Sequence, residues 1–119
     1  MELVPNMKLW LSTEDGENVI GGGRCRLLEA IDELGSLSAA AEQLGMSYRK
    51  AWGDLKKAES NLGHTLIVKS RGGSRGGKTV LTPEGARLLK LFNRFKADVK
   101  LYAEASFERL VNEAANPTA

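Results

Sequence analysis

Apolar residues recur along this chain at two different periods, and the switches between them mark out its elements. In "MKLWLS" the period is two: Met7, Leu9 and Leu11 share one side, Lys8 and Ser12 the other, and Trp10 falls on that second side. "TEDGEN" follows as a turn with an Asp15-Gly16 hairpin signal, and "VIGGG" is expected to pair back. From "RCRLLEAIDELG" the period lengthens. Leu27, Leu28, Ile31 and Leu34 recur at helical spacing, with Gly35 as the stop. "SLSAAAEQLGMS" predicts a short helix capped by Ser36 or Ser38 and ended by Gly45. Ser47 then caps a third helix, whose apolar stripe is Ala51, Leu55, Ala58 and Leu62. Trp52 borders that stripe and is expected to pack in the core, with stacking on nucleic acid as the alternative. "TLIVKS" and "KTVL" read as strands on either side of the Gly-rich "RGGSRGG". "TPEG" opens a last helix, with Thr82 as cap and Pro83 in the first turn. In it Leu88, Phe92, Phe95, Val99 and Tyr102 repeat at near-heptad spacing.

Charge changes the picture because it is unevenly placed. Residues 1–46 carry three Lys or Arg against eight Asp or Glu, while residues 47–100 carry thirteen against four. The overall net charge of +2 hides this central basic block, which suits a polyanionic partner or, more plainly, a solvated surface. A length of 119 residues allows one domain and an additional helix. No apolar run is long enough for a membrane span, and the N-terminus does not read as a signal peptide, so a cytoplasmic location is expected. One cysteine, Cys25, and one histidine, His64, make neither an internal disulfide nor a zinc site. Cys25 near a helix start has two readings, a dipole-activated thiol and an inert buried one, and the inert reading is favoured. His64 is expected at the surface. Arg87, Lys90, Arg94 and Lys96 read as solvated charge.

The stretch "GGSRGGKT", Gly72 to Thr79, fits the phosphate-loop pattern at its fixed positions. A phosphate loop needs a helix directly after the Lys-Thr pair, so that N–H groups and the helix dipole hold the phosphates. Here "VL" and a capping "TP" intervene, so the next helix starts too late. The order helix, short helix, turn, helix, strand, Gly/Arg loop, strand, helix points instead to a winged helix-turn-helix, a mainly α fold with small β-hairpins. In that fold the helix after the turn enters the major groove of duplex DNA. Its candidate contacts are Ser47, Tyr48, Arg49 and Lys50 in the first turn, and Lys56 and Lys57 farther along. The candidate wing contacts are Arg71, Gly72, Gly73, Arg75 and Lys78. Gly53 in mid-helix costs about 1 kcal/mol against Ala. Close approach to DNA or to the preceding helix would each account for it.

"GSLSAAAEQLGMSYRKAW", followed by "GGSRGGKTVLTPEGARLL", resembles the N-terminal DNA-binding domain of the ModE-type molybdate-responsive regulators. It is similar more distantly to the helix-turn-helix of LysR-type regulators. The matching elements are Gly35-Ser36, Ala40-Ala41, Ser47-Tyr48, Ala51-Trp52, Gly72-Gly73, Gly76-Gly77, Leu81-Thr82 and Gly85, within roughly residues 20–100. The resemblance implies a dimer joined through the long last helix. Those regulators carry a molybdate-binding region beyond the DNA-binding domain, and this sequence ends at Ala119. The expectation is therefore no cofactor or metal, with direct molybdate sensing by this chain disfavoured; a response through a separate effector-binding protein, a different signal, and DNA binding without a small-molecule signal are the alternatives.

The resulting reading is a hairpin over residues 1–23, a winged helix-turn-helix core over 24–82, a dimerisation helix over 83–111 and a flexible tail over 112–119. Leu88, Phe92, Phe95, Val99 and Tyr102 are the candidate dimer contacts. The expected function is sequence-specific binding of double-stranded DNA by a homodimeric transcriptional regulator. The alternatives are a protein-interaction module on the same fold and a small nucleotide-binding enzyme using the 72–79 loop.

Overall fold

The helices form where an apolar stripe and a cap coincide. A computed structural model describes residues 2–70 and 78–115. Two short strands come first, β1 (Trp10–Ser12) and β2 (Asn18–Gly21), paired antiparallel with Leu11 opposite Ile20. Helix α1 (Gly22–Leu34) follows β2 without a break. Gly22 and Gly23, expected in the returning strand, are thus the first turn of α1 instead. The ladder ends at Gly21, which pairs with Trp10, and the guanidinium of Arg24 donates to the carbonyls of Asn18 and Val19, holding the chain's change of direction. Leu27, Leu28 and Ile31 are buried as their spacing requires, but Leu34 is exposed. It sits in the last turn, where Gly35 takes φ 67° and leads the chain away.

Helix α2 (Leu37–Gln43) is capped by Ser36, whose hydroxyl oxygen accepts the Ala39 N–H at 3.0 Å. A turn through Gly45 (φ 68°) leads to α3 (Tyr48–Leu62). Ser47 caps α3 by accepting the Lys50 N–H at 3.1 Å, and Gly63 (φ 81°) ends it. Ala51, Leu55 and Ala58 bury the expected stripe against α2 and β2. The fourth residue of that stripe, Leu62, packs at the core's edge.

Strands β3 (Ile67–Lys69) and β4 (Thr79–Leu81) pair antiparallel, with Lys69 opposite Thr79. The Thr79 N–H donates to the Gly35 carbonyl at 2.9 Å, which fastens this ribbon to the end of α1. Thr82 then starts α4 (Pro83–Ala115). Its hydroxyl accepts the Gly85 N–H and donates to the Thr65 carbonyl, so one side chain caps the helix and ties it to the β3 approach. α4 runs 33 residues, past the end expected at 111, because Glu113, Ala114 and Ala115 favour a helix as well as the residues before them. At 1.5 Å per residue it is about 50 Å long. Phe92 is fully buried in the same core as Leu28, Ile31 and Leu55, and Leu88 and Leu89 pack beside it. Farther along, α4 leaves the core, and residues such as Leu3 and Val4 line a shallow cleft against Phe107 and Val111.

Candidate nucleic-acid interface

α3 has one buried side and one basic side. At 100° per residue, Arg49, Lys50, Gly53, Lys56 and Lys57 fall opposite Ala51, Leu55 and Ala58. All five are exposed. Gly53 lies at the centre of this face, and a Cβ placed there would meet none of the described residues within 4 Å. The preceding helix therefore does not require this glycine. Lys50 forms an i,i+4 ion pair with Asp54 at 3.6 Å. Ser47, used as the cap, is exposed at the tip of the same helix.

The base of the ribbon stands beside this face. Lys69 of β3 donates to the Tyr48 hydroxyl, and its ammonium lies 4.9 Å from the Tyr48 ring centroid and 5.0 Å from that of Trp52. Lys56 approaches the Trp52 ring from its own helix at 4.3 Å. Trp52 is thus not a core residue. It is 37% exposed and clustered with two lysines. Its place was readable from the spacing, since Tyr48, Trp52 and Lys56 follow one another at intervals of four and share one edge of the helix. Lys69 gave no such signal, because only the fold brings it to that edge.

A second set of donors adjoins the cluster. An open cleft of about 590 Å³ is lined by residues including Ser36, Ser38, Tyr48, Lys69, Ser70 and Lys78, and none of the described residues lining it is acidic. Lys78 directly precedes β4, with its carbonyl accepting the Ser70 N–H at 2.8 Å. Arg71, Gly72, Gly73 and Arg75 lie outside the described residues. β4 and the cap at Thr82 separate Lys78-Thr79 from α4, so the helix a phosphate loop needs does not follow that pair.

Glu59 holds the two halves of this surface in register. Its carboxylate accepts the Leu66 N–H at 2.7 Å, the Ile67 N–H at 3.3 Å and the Lys56 ammonium at 3.0 Å. Burial alone would raise its pKa. The Leu66 N–H, the Lys56 ammonium and the Ile67 N–H outweigh that, and the carboxyl stays below its ordinary value. The sequence held no sign that this charge is buried, because its backbone partners sit seven and eight residues away.

Cys25 is fully buried, with its Sγ 3.3 Å from Asn93 Oδ1 and 3.4 Å from Glu29 Oε1. Burial first, and then the Glu29 carboxylate, push its thiol above the ordinary value. This is the inert reading and not the activated one. Lys96, expected to be solvated, instead lies 3.9 Å from that sulfur. His64 is exposed. Of the candidate dimer contacts, Phe92 offers no surface because it fills the domain's own core, and Leu88 packs against that core. Val99 is half-buried, while Phe95 and Tyr102 are exposed, as are their neighbours Leu91 and Leu101.

Among the described residues, no helix is long and apolar enough to cross a membrane. The chain is 38% identical over 94 residues to the molybdenum-pterin-binding protein MopB of Rhodobacter capsulatus, covering 78% of this chain and 34% of that protein. It is 31% identical over 103 residues to the molybdenum transport protein ModE of Azotobacter vinelandii, covering 87% of this chain and 38% of that one. The chain thus spans little more than a third of the length of these relatives. Its fold matches the protein of the CbnR_DBD–DNA complex with a TM-score of 0.52 and 25% identity, covering 77% of this chain and 95% of that one. Residues 23–86 match the family described as bacterial regulatory helix-turn-helix proteins of the lysR family, and the chain belongs to that family.

Proposed function

We propose that this chain binds double-stranded DNA in a sequence-dependent way and regulates transcription as a homodimer, without catalytic activity of its own. The observation that carries the reading is the outward face of α3, where exposed Arg49, Lys50 and Lys57 surround Gly53. Arg49, in the first turn, is placed to bond a guanine edge with two N–H groups. Ser47 and Tyr48 supply hydroxyls, and Lys57 a charge, to the phosphates alongside. Arg71, Gly72, Gly73, Arg75 and Lys78 would hold the flanking backbone or minor groove as the wing. The relatives' names speak of molybdenum.

The dimer is proposed through the part of α4 that the core leaves uncovered. Phe95 and Tyr102, with Leu91 and Leu101, place apolar surface on a helix that extends well past the domain. A second copy of this helix would cover them. Two α3 helices would then address half-sites one helical turn or more apart.

Binding of a labelled duplex as salt is raised tests the reading. Contact with several phosphates makes affinity fall steeply with salt, at a logarithmic slope of about −0.9 per phosphate. A protein-interaction module would show no such dependence on duplex. Arg49→Ala is expected to lower affinity by about tenfold or more and to relax preference at one base position. If Arg49→Ala binds every duplex as the unaltered chain does, α3 is not the reading helix.

A further inference from the structure

We propose that Lys69, Tyr48 and Trp52 form a phosphate clamp that joins the recognition helix to the root of the wing, with a backbone phosphodiester of the bound duplex as its ligand. This rests on the DNA-binding reading and extends it to residues on both elements. Lys69 sits on β3, and Tyr48 and Trp52 one turn apart on α3. The lysine ammonium lies near both rings, 4.9 Å and 5.0 Å from their centroids, and donates to the Tyr48 hydroxyl.

The hydrogen-bond inventory of this cluster gives it a direction. An ammonium has three N–H donors, and Tyr48 takes one. A phenol whose oxygen accepts from Lys69 still has its own O–H to donate. Lys69 and Tyr48 line, together with Ser38, Ser70 and Lys78, a cleft with no acidic residue among those described, so these donors are available to a ligand seated there. Convergent N–H and O–H groups beside a positive charge make charge-assisted bonds to a phosphate oxygen, and no lining carboxylate repels it. A duplex seated on α3 would run its backbone between the first turn of α3 and the wing, which is where this cleft lies. Trp52 is the positioning residue. Its ring restrains both Lys56 and Lys69 by cation–π attraction, so two long side chains are held in place before DNA arrives.

The test uses one duplex, titrated against salt with the unaltered chain, Lys69→Gln, Lys69→Arg, Tyr48→Phe and Trp52→Ala. Thermal melts of each variant record its folding. Lys69→Gln is expected to flatten the logarithmic salt slope by about 0.9, the contribution of one phosphate, with Lys69→Arg restoring it. Tyr48→Phe should weaken binding about fivefold with the slope intact, since it removes a neutral donor and no charge. Trp52→Ala should weaken binding and leave the melt nearly unchanged. In a Trp10→Phe background Trp52 is the only indole. Duplex should change its emission, whereas inorganic phosphate at the same phosphate concentration should not.

If the unaltered chain binds duplex with a steep slope and Lys69→Gln gives a parallel line, the clamp is wrong and the DNA reading stands. If the unaltered chain binds no duplex, both fall. An emission change that inorganic phosphate reproduces equally would make the cleft a small-anion site, which also overturns the clamp.

Discussion

Gly85→Ala sets helix propensity against packing at a place where the distances decide the outcome. Gly85 lies in the first turn of α4, pressed onto the chain entering β3. A Cβ added there would stand 2.2 Å from the Leu66 carbonyl oxygen, 3.1 Å from the Leu66 carbonyl carbon and 3.3 Å from its Cα. Propensity alone favours alanine by about 1 kcal/mol. The contact, however, is with backbone, which has no rotamer to change, so α4 and β3 must part by about 1 Å to reach ordinary van der Waals separation. That movement strains the Thr82 N–H bond to the Leu66 carbonyl (2.9 Å), the Thr82 hydroxyl bond to the Thr65 carbonyl (2.7 Å) and the Gly85 N–H bond to Thr82 (3.0 Å). Overpacking of this kind costs about 3 kcal/mol, and weakening one or two of these bonds costs about 1 kcal/mol more. With the propensity gain deducted, the net loss is about 3 kcal/mol. In a chain of this length that lowers the melting temperature by roughly 12 °C. Calorimetry or melting followed by circular dichroism measures it. A Gly85→Ala chain melting at or above the unaltered chain would refute the reasoning.

Gly53→Ala is expected to do the opposite to stability, raising it by about 1 kcal/mol because none of the described residues faces the new methyl. Duplex affinity should fall in the same variant, and unchanged affinity would show that DNA does not approach α3 closely. Glu59→Gln should cost about 2 kcal/mol at neutral pH by weakening the bonds to Leu66, Ile67 and Lys56. The folded pKa of Glu59 is depressed, so its contribution is present above the ordinary carboxylate pKa and lost as pH falls through the folded value. Melts from pH 7 downward should therefore show the gap between the two chains closing in acid, and a gap that stays constant contradicts the assignment. Phe92→Ala should destabilise the fold by about 4 kcal/mol, whereas Tyr102→Ala should leave the melt of the isolated domain alone and weaken self-association in sedimentation. A Tyr102→Ala chain that associates as before would remove that residue from the proposed interface.

Local rules carried most of the element order. The 4, 3, 4 spacing of Ala51, Leu55, Ala58 and Leu62 set the buried side of α3, Ser47 and Thr82 proved to be the caps their positions suggested, and of the two candidate serines before α2 it is Ser36 that caps it. What local rules missed depended on contacts distant in sequence. Gly22 and Gly23 look like strand or loop residues until the β1–β2 ladder is seen to end at Gly21. Trp52 has the size of a core residue, yet its intervals of four to Tyr48 and Lys56 place it on the polar edge. Phe92 and Phe95 look alike in a heptad pattern, yet only the former is fully buried, and the packing of α1 on α4 is not written in either residue's neighbours.

Selection of duplexes from a random pool by the folded chain, read by sequencing, tests the central claim most directly. The expected result is one enriched motif made of two related half-sites in two-fold symmetry, with preference relaxed at one position of each half-site when Arg49 is replaced by Ala. A chain that is folded and yet enriches no motif would contradict sequence-dependent recognition through α3.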